Sequence, residues 1–207
     1  MNCIEKVQST IEEHALIDNG SRVLVAVSGG PDSTALLSIL KHLSSELHFE
    51  LAAAHFDHRI RPESVREKGA VERFASSLGI QVFVGSKDVP RKARTDRLGL
   101  EETARNERYR FLEETATEYG AGAVALGHTR DDQVETVLHR ILRGTGWRGL
   151  IGMQPRRGIF IRPLLDCGRR ELIMHLRSRG ISYVIDSSNQ DNSFYRNRIR
   201  NRLLPYL

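Results

Sequence analysis

Ser28-Gly29-Gly30-Pro31-Asp32-Ser33 lies between an apolar run, residues 23–27, and a helical pattern, and its residue types suit the holding of phosphate. Glycines let backbone N–H groups approach a ligand, a following helix offers its positive N-terminal end, and Ser28 and Ser33 add hydroxyls. No lysine follows the glycines. An acid, Asp32, stands where a Gly-Lys-Ser/Thr loop would carry the cation for the outer phosphates. The loop is therefore expected to handle its nucleotide differently. A glycine turn without a ligand is the alternative; strand, loop and helix in series favour the nucleotide.

Three further groups of residues suit chemistry. The second apolar run ends in His55, Asp57 and His58, followed by Arg59 and Arg61. Two histidines and a carboxylate could bind a metal, but the arginines oppose a cation, so contact with a nucleotide or RNA is the expectation. Asp57 as a cap and His58 as a packed ring form the structural alternative. Residues 100–112 start a helix with Glu102, Arg105, Arg108 and Tyr109 at turn spacing; these are substrate contacts or ordinary surface pairs. Residues 127–144 project as a helix with Val134, Val137, Leu138 and Ile141 on an apolar face and Asp132, Glu135, Thr136 and His139 opposite. His128 precedes that polar side. The adjacent acids Asp131 and Asp132 suit a cation, either Mg2+ on phosphates or the ammonium of an amine substrate.

Positioning these residues calls for a particular fold. Apolar runs at 23–27, 50–56, 80–85, 123–127 and 181–186 alternate with amphipathic segments. Short unalternating strands separated by helices predict an α/β, doubly wound, mainly parallel sheet covered on both faces. Ligands bind beyond the carboxyl ends of such strands, where the Ser28 loop, Asp57 and residues 127–132 all fall. The first 20 residues read as a leading amphipathic helix carrying Ile4, Val7, Ile11 and Ala15, ended by Asn19-Gly20, and residues 86–100 as a polar basic loop.

At 207 residues one main domain is expected. No segment approaches the roughly 20 apolar residues of a membrane span, and the charged N-terminus does not read as a signal peptide, so a cytoplasmic protein without membrane contact is expected. Cys3 and Cys167 form no CxxC pair, which speaks against zinc, iron–sulfur or disulfide frameworks. Residues 156–207 hold eleven arginines, no lysine and four acids, a local charge of +7 against +5 for the whole chain. That asymmetry favours a polyanion such as nucleic acid. Near the end, Ile199 and Leu203 make an apolar stripe while Arg196, Arg198, Arg200 and Arg202 are expected to face outward toward RNA.

The SGGPDS loop resembles the SGGxDS signature of the PP-loop, or N-type ATP pyrophosphatase, family. Members cleave ATP between the α and β phosphates and adenylate a carbonyl-type oxygen. Further blocks, HFDHRIR at 55, ETARNERYRFL at 102, the 27 residues from Gly127, RPLLD at 162 and the run 186–205, resemble the catalytic N-terminal domain of the tRNA(Ile)-lysidine synthase family. Ile60 replaces that family's usual leucine, a mild apolar exchange. The resemblance implies ATP and Mg2+ as cofactors and tRNA(Ile) with a CAU anticodon and L-lysine as partners. The C2 oxygen of the wobble cytidine would be adenylated and AMP then displaced by the lysine amine. In this reading Ser28 to Ser33, His55 and Asp57 hold the nucleotide, and Asp32, His128, Asp131 and Asp132 are the catalytic candidates, Asp32 and Asp132 also for the metal. His58, Arg61, Glu102, Arg105, Arg108, Arg196, Arg198 and Arg200 face the substrate. Family members continue into C-terminal domains that grip the tRNA acceptor stem. Residues 1–207 are accordingly expected to be the catalytic domain, with 186–207 its arginine-rich terminal segment and the later domains absent or truncated. The oligomeric state is open between monomer and homodimer.

Three rival readings remain. A tRNA thiolase on the same loop would deliver sulfur, for which Cys3 and Cys167 are poorly suited; amidotransferase-linked synthetases that share SGGxDS give no reason for the arginine-rich terminus; and an RNA-binding module that senses ATP would do no chemistry.

Overall fold

A computed structural model of the chain describes residues 1–60, 64–184 and 198–206. Its centre is a six-stranded sheet in the order β3-β2-β1-β4-β6-β5. The strands are β1 (Arg22–Ala26), β2 (Glu50–Asp57), β3 (Gln81–Ser86), β4 (Ala123–Ala125), β5 (Arg156–Arg157) and β6 (Phe160–Ile161). All neighbouring pairs are parallel except the β5–β6 hairpin at one edge.

Alternation along β1 serves two cores. Val23 and Val25 join a cluster with α1 (Cys3–Glu13), α2 (Pro31–Ser44) and α8 (Arg169–Ser178), while Leu24 joins Leu112 and Ala116 of α5 (Leu100–Tyr119) on the other face. Both faces of β1 are therefore buried, which is why its sequence runs apolar without a break. The chain goes β1-α2-β2 and then through α3 (Ser64–Ser77) to β3, always moving one strand outward. It next crosses back through α4 (Val89–Asp96) and α5 to place β4 beside β1. The strand order reverses between β1 and β4, and the loops that leave these two strands part at that point, making a crevice. From β4 the chain enters α6 (Arg130–Leu142) and the short α7 (Trp147–Leu150).

Four expectations differ from this architecture. Residues 181–184 form no strand: the Val184 N–H donates to the Gly29 carbonyl instead of to a ladder, and residues 185–186 lie outside the described residues. The edge position is taken by the β5–β6 hairpin. Residues 86–100 are not one loop, because Asp88 accepts from the Arg91 N–H and Pro90 suits a first turn, so α4 forms. The leading helix is shorter than 20 residues. It starts on a capping box between Asn2 and Glu5 and ends at His14, after which Ala15 adopts a φ of 45° and Leu16 takes the buried place expected of Ala15.

Candidate active site

The loop after β1 is built by its own side chains. Ser33 Oγ accepts from the Ser28 N–H at 3.1 Å and donates to the Gly30 carbonyl at 3.2 Å, so the turn is closed before any ligand arrives. Gly29 has a φ of +89°, a conformation that penalises any side chain. Gly30 is the N-cap of α2 at an ordinary φ of −72°, so the conformational freedom of glycine is used at Gly29 alone. Pro31 follows at the first helical position, and no side chain caps the N-terminus of α2, whose N–H groups and dipole face the crevice. From β4, Gly127 presses on this turn: a Cβ there would lie 3.2 Å from the Ser33 backbone.

These elements enclose a cavity of about 340 Å³ at the crevice. Ser28, Gly30, Pro31, Asp32, Ser33, His58, Arg108, His128 and Asp132 line it, joined by Glu67 and Arg169. The three motifs read from the sequence thus converge. Asp32 is buried and is held by Arg169, whose Nη2 donates at 2.5 Å and Nε at 3.2 Å. Burial pushes the Asp32 carboxyl above its usual range, Arg169 opposes that rise, and Asp132 adds to it. Asp32 and Asp132 are therefore close enough to feel each other's charge.

Asp131 and Asp132 part company. Asp131 accepts from the Arg169 N–H at 2.8 Å, fixing the first turn of α8, and it is absent from the cavity wall. Asp132 faces the cavity. One of its oxygens closes a capping box with Thr129 and the other lies 3.5 Å from Arg200 Nη2. Arg200 also donates from Nε to Glu135 at 2.5 Å and from Nη2 at 3.0 Å. Arg200 therefore does not face outward as the stripe of Ile199 and Leu203 suggested: Ile199 is buried, and the two acids draw the guanidinium inward. Arg198 is exposed, whereas Arg61 and Arg196 lie outside the described residues.

The remaining candidates divide between wall and frame. His55 is buried, and its Nδ1 must carry the hydrogen donated to the Val27 carbonyl at 2.9 Å, since that oxygen can only accept. It steadies the residue before Ser28 and does not reach the cavity wall. Asp57 accepts from the Arg59 N–H at 2.8 Å, the turn-capping alternative. His58 packs edge-on to Phe56 and is held down to about 4, first by burial and then by the charge of Arg108. Arg108 lines the cavity with an Nε that has no hydrogen-bond partner among the described residues. Arg105 lies over the Tyr109 ring at 5.1 Å and is exposed, as is Glu102 in the first turn of α5.

Sequence reasoning missed Glu67 and Arg169 on the cavity wall, and Glu135, the buried partner of Arg200. Glu135 shared the polar face of α6 with Asp132, yet nothing in the pattern distinguished it from Thr136 or His139. Arg169 gave no local signal at all, because it meets Asp32 only through the packing of α8 on α2.

The PP-loop domain family matches residues 2–207. The tRNA(Ile)-lysidine synthase of Thermosipho africanus is 42% identical over 99% of this chain, and that of Thermotoga sp. strain RQ2 is 44% identical over 93%. The chain spans about half the length of these relatives, 48% and 46% respectively. Among solved structures, the U34-tRNA thiolase NcsA from Methanococcus maripaludis with its [4Fe-4S] cluster superposes with a TM-score of 0.78. At 18% identity, covering 97% of this chain and 72% of that one, it attests the fold alone. With the signature loop, the sheet order and the match over nearly every residue in agreement, this chain belongs to the PP-loop domain family.

Proposed function

We propose that the chain is the catalytic part of a cytoplasmic ATP-dependent tRNA-modifying ligase. It adenylates the C2 oxygen of the wobble cytidine in tRNA(Ile) with a CAU anticodon and couples L-lysine to give lysidine, releasing AMP and pyrophosphate. One observation carries this reading. A single cavity gathers the Ser28–Ser33 turn, Asp32, His128 and Asp132, in a chain more than 40% identical to lysidine synthases along almost its whole length.

In this reading the α2 N-terminus and the Ser28 loop hold the phosphates of ATP. Mg2+ takes few protein carboxylates together with phosphate oxygens; Asp32 and Asp132 line the cavity and would be those carboxylates, each now engaged by an arginine, Arg169 and Arg200. Bound there, the ion would offset charge on the phosphates. The lysine ammonium must lose a proton before it attacks, and Asp132, His128 and Asp32, which line the cavity, are the candidates to accept it. The pairing of Arg200 with Asp132 and Glu135 supports a cation subsite at these acids.

The thiolase reading is less well served. Cys3 and Cys167 are the only cysteines of the chain, both are buried, and burial pushes Cys167 up to about 12 and raises Cys3. A sulfur carrier needs an accessible thiolate.

The deciding assay combines the protein with ATP, Mg2+, labelled lysine and a CAU-anticodon tRNA. Label in the RNA together with AMP release is expected. AMP release without label, or incorporation of sulfide, would overturn the proposal. Asp132→Asn should slow lysine coupling more than adenylation; a coupling rate that falls no further than the adenylation rate would exclude Asp132 as the proton acceptor.

A further inference from the structure

A second cavity, of about 910 Å³, opens between α2, α3 and residues 179–184, the segment that follows α8. Ser38, Lys41 and His42 line it from α2, and Ala70, Arg73, Phe74 and Ser77 from α3. Each set keeps the three- and four-residue spacing that puts side chains on one helix face, so one face of each helix looks onto the same space. The segment after α8 supplies the third side with Arg179, Ile181, Tyr183 and Val184.

Its walls combine two kinds of chemistry. Phe74, Leu78, Ile181 and Tyr183 are partly buried and pack on the core that α2 and α8 share, so the inner wall is apolar and two of its members are flat rings. Lys41, His42, Arg73 and Arg179 are exposed at the rim, and no acid lines the cavity among the described residues. Beneath them Ser38 and His175 share a buried hydrogen bond of 3.1 Å. Burial first, and then the charges of Arg179 and His42, lower the pKa of His175. The floor therefore feels positive charge that no carboxylate of the lining offsets. Lys41, His42 and Arg179 stand at the C-terminal ends of α2 and α8, where cations suit the helix dipole. Arg73 lies before the last turn of α3 and has no such reason to be there.

The same walls touch the loop after β1. Val184 lines both this cavity and the catalytic one. Its N–H donates to the Gly29 carbonyl at 2.9 Å, and its Cγ2 lies 3.8 Å from where a Cβ would stand on Gly29. From the other side Val71, one turn before Phe74 on α3, comes within 3.5 Å of that point. Gly29, at its φ of +89°, is thus held between the two elements that face each other across the second cavity. Any change in their spacing bears directly on the turn.

We propose that this cavity is an effector site for a small organic anion carrying a flat ring, the chemistry of a nucleoside monophosphate, and that its occupancy alters the grip of the Ser28 loop on ATP. The ring lies against Phe74 and Tyr183, and Arg73 and Arg179 hold the phosphate. Small-molecule sites of roughly 300–1,000 Å³ are built in this way, from an apolar wall with a few charged groups that fix orientation. Val184 and Val71 carry the effect to Gly29. The inference rests on the proposed function only in taking ATP as the ligand of the Ser28 loop.

Calorimetry with guanosine monophosphate as the probe tests this on the chain already saturated with ATP and Mg2+. The probe should bind without displacing ATP, whereas guanosine alone and inorganic phosphate alone, each with half of the recognised chemistry, should bind at least about tenfold more weakly. Arg73→Ser and Arg179→Ser should each weaken the probe about tenfold and leave ATP affinity in its absence unchanged, and Arg73→Lys should recover part of the loss. Saturating probe should change ATP affinity by about fivefold or more, and ATP should change probe affinity by the same factor. Displacement of the probe by ATP would place it in the catalytic cavity and overturn the proposal, as would unchanged probe affinity in both serine variants. Probe binding that leaves ATP affinity unaltered would overturn the coupling to Gly29. Absence of probe binding together with weaker RNA binding in the serine variants would assign the basic rim to RNA instead. None of these readouts uses lysine or turnover, so failure of lysine transfer would remove the proposed function and leave this site standing.

Discussion

Arg169 grips Asp32 with both Nε and Nη2, and through its own N–H it also holds Asp131, so a single residue of α8 fixes acids in the first turns of α2 and α6, the helices that follow β1 and β4. The acid that the nucleotide loop carries in place of a lysine is thus compensated from an element distant in sequence. This arrangement lets a buried carboxylate stand in the first turn of α2 without a dedicated loop cation.

Removing the guanidinium should therefore destabilise the fold. Arg169→Ala leaves Asp32 buried and without that partner, and with side chains 29% and 12% exposed the cost should be about 1–3 kcal/mol at neutral pH, below that of a fully buried pair. The folded-state pKa of Asp32 is raised, so its ionised form is the disfavoured one. The deficit should shrink as pH falls and Asp32 takes up a proton. Urea unfolding at neutral and acid pH checks this, and Asp32→Asn combined with Arg169→Ala should cost less than the two single changes added together.

The loop glycines should differ in their tolerance of alanine. Gly29 at φ +89° also has Val71 3.5 Å from where a Cβ would stand, so Gly29→Ala should lose about 1–3 kcal/mol and weaken ATP binding. Gly30 at φ −72° meets only Ser28 Oγ at 3.5 Å, so Gly30→Ala should fold almost as well as the unaltered chain. Equal losses in the two variants would contradict the assigned loop geometry.

The sheet and the loop after β1 were legible because they rest on local rules: unbroken apolar strands, a glycine turn and a helix start. What escaped were choices made by distant partners. The run 181–186 has the composition of a strand, yet the Val184 N–H is taken by Gly29, so tertiary contact overrides propensity. The apolar face of α6 is only partly buried, with Val134 and Ile141 exposed, while Asp132 and Glu135 of the other face are buried and paired with Arg200. Helical periodicity identifies two faces and does not say which one points inward. Arg169 lay beyond any local pattern, since its role exists only once α8 packs on α2.

His58 should make stability pH-dependent in a defined window. Its folded-state pKa of about 4 lies below the ordinary 6.5, so between these values the unfolded chain binds a proton that the native state refuses. Stability should therefore rise with pH across the window and be lost as pH falls through it, by at most about 3 kcal/mol. His58→Gln should flatten that slope when unfolding is measured at its two ends, and an unchanged slope would assign the pH dependence to other groups.

The pairing of Arg200 with Glu135 and Asp132 gives the most direct test of the proposed amine subsite. Glu135 is fully buried, so Arg200→Ala should cost about 2–4 kcal/mol by depriving a desolvated acid of this partner. If those acids are the place where a substrate ammonium is held, free L-lysine should partly replace the missing guanidinium. It should raise the melting temperature of Arg200→Ala more than that of the unaltered chain, because binding to the native state alone adds stability as ligand concentration grows past its dissociation constant. Norleucine, which has the same carbon chain without the ε-amine, should do neither. An equal response to both amino acids would mean that the pocket senses the α-amino and carboxyl groups, and the cation subsite would then have to be sought away from Glu135.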